Sequence, residues 1–135
     1  MRAVAWSELG DARQAAAAWE KCLRWAQRCL PPNDENEAVY AMHAAVCRLA
    51  AAGGHGAAGG EAEGEAGGEA GGEAVGEAAA LHTISAVTLV ARAREVHEVA
   101  HGGGAAWMAI RYRKELLEAE FFPEAAARAW NMISA

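Results

Sequence analysis

Apolar residues return every third or fourth position over most of this chain, which is the spacing of one helix face. Ala15, Trp19, Cys22, Ala26, Cys29 and Leu30 share a side at that period, and Pro31-Pro32 stops the run. Asp11-Ala12-Arg13-Gln14 ahead of it fits a capping box, in which Asp11 accepts from the backbone and Gln14 reaches back. A second box, Asp34-Glu35-Asn36-Glu37, opens the next helix. Its stripe is Val39, Met42, Val46 and Leu49, and Gly53-Gly54 ends it. Val4 to Leu9 reads as the end of a still earlier helix, closed by Gly10. Further on, Ala78 to His101 predicts one long helix with Leu81, Ile84, Leu89, Val96 and Val99 on a broad face, stopped by Gly102-Gly103-Gly104. Ala105 to Phe121 follows, with Trp107, Ile110, Leu117 and Phe121 on one side. Phe122-Pro123 breaks that helix, and Pro123 opens a short last one through Trp130. The expectation is an all-α chain of about five to six helices, paired antiparallel because the links are short. β-branched residues gather mainly at Thr83–Val90 and leave a sheet little to build on.

Gly53 to Gly76 interrupts this pattern. The tract is low-complexity Gly, Glu and Ala, and it has almost nothing to bury against chain entropy. It reads as a disordered, acidic, extended loop, which divides the chain into first helices (1–52), a flexible acidic loop (53–77) and C-terminal helices (78–135). Its glutamates Glu61, Glu63, Glu65, Glu69, Glu73 and Glu77 account for the whole net charge of −6. The remainder is near neutral and shows no basic stripe of the kind that displaces counterions from nucleic acid, so no nucleic-acid partner is expected. Cys22, Cys29 and Cys47 form no C-x-x-C pair, and their odd number suggests reduced thiols buried at helix contacts. The N-terminus shows no signal-peptide core. The longest uncharged helical run, Ala78 to Ala91, falls short of the about 20 apolar residues a bilayer span needs. The expected setting is intracellular, cytoplasmic or nuclear, with no membrane partner.

Leu9-Gly10-Asp11, then Ala15, Trp19, Cys22 and Leu23, resembles the second helix of a tetratricopeptide repeat, where small and aromatic residues follow a Gly-Asp turn at fixed offsets. Leu30-Pro31-Pro32-Asn33-Asp34 resembles the extended repeats of kinesin light chains and of the C-terminal helical region of SET-and-MYND lysine methyltransferases. Glu98-Val99-Ala100-His101-Gly102 is similar to a stretch in the last repeats of the methyltransferase family. The resemblance implies a fragment of an α-α superhelix of about two tetratricopeptide-like units. It also implies a protein-interaction role, with a protein partner or a missing neighbouring domain. The family's SET domain and Cys/His-rich zinc finger have no counterpart among these residues. The resemblance therefore places no catalytic residue and no cofactor here, and it implies a chain that is not itself an enzyme.

A competing signal is His97-Glu98-Val99-Ala100-His101, which matches H-E-x-x-H. Two His one helical turn apart can bind zinc, with the Glu as general base of a hydrolase. Gly104 follows at a matching offset, but Trp107 stands where a third His would fall, which leaves Glu118 or Glu120 as a third ligand. Against this, His101 simply ends a helix, where a partly charged imidazole suits the dipole, and His97 lies on the surface. Arg111, Arg113 and Lys114 read as a solvated basic face, and His43 as a residue at the core edge. An array of repeats leaves apolar ends unless capped. The expected partner-facing residues are Val4, Trp6 and Leu9 at one end and Trp107, Phe121 and Trp130 at the other, with self-association as one outcome.

Overall fold

The structure is a computed structural model that describes residues 2–53, 61–102, 104–115 and 118–134. For residues 61–75, and for several positions near the C-terminal end, it describes the backbone alone. Among the described residues every regular element is a helix: α1 (Arg2–Glu8), α2 (Ala12–Cys29), α3 (Glu35–Ala52), α4 (Glu61–Ala100), α5 (Gly104–Glu115), α6 (Glu118–Phe121) and α7 (Pro123–Ser134). The all-α expectation holds. The backbone of α4 is already helical at Glu61, inside the tract read as a loop, while residues 54–60 lie outside the described residues.

The helix ends follow local chemistry. Asp11 Oδ1 accepts from the Gln14 backbone N–H at 3.1 Å and caps α2. Pro31 and Pro32 cannot continue α2, and Asn33 takes a left-handed turn (φ 59°) before α3 begins. Asp34 caps α3 by accepting from Asn36 N–H at 2.9 Å. Gly10 and Gly102 sit at φ 77° and 70°, where a side chain would be strained, and they close α1 and α4 respectively.

α3 is the central element. It packs against both α2 and α4, and α7 touches α3, α4, α5 and α6. Its neighbours come close because the contact residues are small. Ala12, Ala15 and Ala16 of α2 and Ala38, Ala41 and Ala45 of α3 are all inaccessible to solvent. Met42, Leu49, Tyr112 and Phe122 supply the larger buried volume. α2 and α4 both run antiparallel to α3, as ion pairs and hydrogen bonds at its two ends show. Near its start, Glu37 Oε2 accepts from Gln27 Nε2 (3.2 Å) and Arg92 Nε (2.6 Å). Near its end, Arg48 bonds Glu20 Oε2 (2.5 Å) and His82 Nδ1 (2.9 Å). Glu37 thus spans three helices instead of reaching back to complete the second capping box.

Several expected faces are turned. Leu81, Ile84 and Val99 of α4 are exposed, and its buried apolar face is Ala86, Val90, Ala93 and Val96. In α5 Met108 and Tyr112 are buried while Trp107 and Ile110 are exposed. In α2 Leu23 is buried, Cys22 half-buried and Cys29 exposed, so only Cys47 among the thiols lies in the core. For α4 the reason lies in side-chain size. An Ala-rich helix has two faces that can serve as the inner one, and the small-residue face wins where it allows closer approach.

Candidate functional site: two open helix faces and a histidine cluster

α1 has 7 residues and α2 has 18, or about 10 Å against about 27 Å at 1.5 Å per residue. The shorter helix cannot cover the longer. Leu9 and Gly10 turn the chain, with Gly10 N–H donating to Ser7 O and Asp11 N–H to Trp6 O, both at 3.0 Å. α1 then lies on the first part of α2 and leaves a groove of about 520 Å³ beside it. Trp6 of α1, Ala18, Lys21, Cys22 and Trp25 of α2, and Tyr40 of α3 line this groove. Trp25 is 47% exposed. The α2 stripe at positions 14, 17, 18, 21, 22 and 25 keeps strict helical spacing on a second face, away from the core stripe.

A second exposed apolar surface lies on α4. Leu81, Ile84 and Val87 form a row 65%, 62% and 52% exposed, continued by the smaller Thr88 and Ala91. Val99 of α4 and Trp107 and Ile110 of α5 are also exposed.

The partner-facing candidates are distributed as follows. Val4 and Trp6 are half-buried against the core, with Trp6 on the groove wall. Leu9 and Trp107 are exposed, and Phe121 is half-buried. Trp130 of α7 is buried in the core, with 8% of its surface exposed. The sequence reading missed Trp25, Lys21 and Tyr40. The available signal was the second stripe on α2.

The H-E-x-x-H residues are arranged differently from the expectation. His97 is 1% exposed, not on the surface, because α4 turns it toward α5. Its ring meets Tyr112 edge-on, with centroids 5.6 Å apart. Burial, and the nearby His101 and Arg111, lower the pKa of His97. Its Nε2 has no hydrogen-bond partner among the described residues. His101 follows the end of α4, with Nε2 3.2 Å from Glu35 Oε2 and 2.9 Å from Arg111 Nη1. Arg111 also pairs with Glu35, so it joins α5 to α3 and is not simply a solvated cation. Glu98 Oε2 accepts from Gly104 N–H at 3.2 Å and so caps α5. Glu120 is exposed, and the Glu118, Arg113 and Lys114 side chains lie outside the described residues. Among the described residues no group of three or more His, Cys, Asp or Glu is placed to hold a metal ion.

Fold and surfaces together define an all-α chain with a central helix and two uncovered edges. No helix among the described residues is long and apolar enough to cross a membrane. No family model matches the sequence, and no curated protein or solved structure is significantly similar to it.

Proposed function

We propose that this chain is a protein-docking module of tetratricopeptide type, whose partner is another protein or a neighbouring domain. The observation that carries the reading is the pair of uncovered apolar edges. Large apolar side chains exposed in contiguous rows are uncommon on monomers and mark interaction surfaces. Trp6, Trp25 and Tyr40 beside Lys21 have the composition of an interface centre, aromatic with a polar rim. The resemblance to the C-terminal helices of SET-and-MYND methyltransferases supplies one class of neighbour, a catalytic domain outside these residues. On this reading the chain does no chemistry of its own, and the histidine cluster serves to join α3, α4 and α5.

The test is affinity capture from extracts of the source cells, with wild type, Trp25→Glu and Leu81→Glu as baits. Both changes lie on the surface and should leave stability within about 0.5 kcal/mol. Wild type should retain a discrete set of proteins that at least one variant loses. An identical set on all three baits would sink the proposal.

A further inference from the structure

The two open edges differ in charge as well as position. The groove is built on α1, α2 and α3, and the exposed row is on α4, so they are different surfaces of the chain. Lys21 lines the groove, and Arg24 and Arg28 follow it along α2, none of the three in an ion pair among the described residues. The single acid of α2, Glu20, is already held by Arg48. On α4 the row Leu81–Ile84–Thr88–Ala91 is bracketed along the same face by Glu77 at one end and Glu95 and Glu98 at the other. The nearby cation Arg92 reaches inward to Glu37 at 2.6 Å and also pairs with Glu95 at 3.4 Å, which leaves Glu77 and Glu98 as the acids of this face in no salt bridge among the described residues. One edge is therefore apolar with a cationic rim, and the other is apolar with anionic ends.

The lengths also correspond. The groove stripe from Gln14 to Trp25 and the row from Leu81 to Ala91 each cover about 15–17 Å of helix. We infer that copies of this chain associate head to tail, with the outer face of α4 from one copy seated in the α1/α2 groove of the next. The inference rests on the docking reading and names a second copy as the occupant. Such a contact is heterologous. It uses different surfaces on the two copies, leaves one edge free at each end, and does not stop at two unless the geometry closes a ring. Opposite rims set the direction, because groove against groove would bring cations together. The association weakens as salt screens the rims.

Sedimentation equilibrium on the full chain separates this arrangement from others. One variant, Trp25→Glu, closes the groove, and the other, Ile84→Lys, closes the α4 face. Both positions are exposed, and circular dichroism and melting check that each variant is folded. Wild type should show a mass that climbs with concentration beyond that of a dimer, or settles at a closed ring larger than a dimer. Each variant alone should be monomeric. Their equimolar mixture should form a dimer and stop there, since one copy supplies the intact face and the other the intact groove. A wild-type monomer at every concentration overturns the inference, and so does a variant that still dimerises alone, which would mean a like-on-like contact. If wild type is monomeric while extract capture still depends on Trp25 or Leu81, docking stands and the second copy is the wrong occupant. If both fail, both readings fail.

Discussion

His43 illustrates how one side chain couples this fold to pH. Its imidazole lies in the core, stacked on Trp19 with ring centroids 4.1 Å apart and planes 12° from parallel. Burial holds its pKa down at about 4, against 6.5 for a free histidine. Above pH 6.5 the ring is neutral in both folded and unfolded chains, and the full stability is present. As pH falls from 6.5 to 4 the unfolded chain takes up a proton that the folded chain refuses. Stability is lost across that window, by on the order of 3 kcal/mol in total. His43→Phe keeps a flat ring against Trp19 and removes the proton site. Urea midpoints at pH 7 and pH 5 should therefore fall steeply for wild type and less for the variant. A residual slope will come from His97 and His82, whose pKa values are also lowered by burial. Equal slopes in the two proteins would show that His43 is not held neutral. None of this could be read from sequence. Met42, His43 and Ala44 are all buried on a helix closed in on most sides, whereas periodicity suggests a single stripe and leaves His43 at its edge.

Helices were legible because their punctuation is local. Asp11, Pro31-Pro32, Gly53 and Gly102 act on their immediate neighbours, and each terminates or caps an element near the expected position. Which face a helix buries was less legible, because that depends on the partner. Leu81 and Ile84 have the hydrophobicity of core residues, yet α4 presents Ala86 and Ala93 to α3 and leaves the larger pair outside. The register of α2, α3 and α4 is set by long-range polar contacts that sequence spacing cannot reveal. Glu37 lies 10 residues from Gln27 and 55 from Arg92, yet touches both. A double-mutant cycle on Glu37→Ala and Arg92→Ala should give a coupling of about 1 kcal/mol in unfolding free energy. That size reflects an acceptor carboxylate buried in the structure and an arginine still partly solvated. Additive single-mutant effects would mean that the pair does not fix the register.

At the level of the molecule, a short α1 and an α4 covered on one side only leave two apolar helix faces exposed among the described residues. The repeat-like pattern led to an expectation of partner-facing residues Val4, Trp6 and Leu9 at one end. Trp6 does line the groove, while the residue most exposed to a partner there, Trp25, is on α2. At the other end Trp130, which looked like surface, is used to seat α7. Aromatic content alone did not distinguish a tryptophan that caps a core from one that faces outward, since both occur at helical spacing.

The most direct measurement is residue-resolved oxidative footprinting of the intact chain, dilute and then concentrated. In dilute solution Trp25, Leu81 and Ile84 should be modified readily, while Trp19, Met42 and Trp130 are protected. On concentration, Trp25, Leu81 and Ile84 should become protected together, with Trp107 still open as the control. Fast modification of Trp19 or Trp130 in dilute protein, or unchanged labelling of both edges on concentration, would contradict the account.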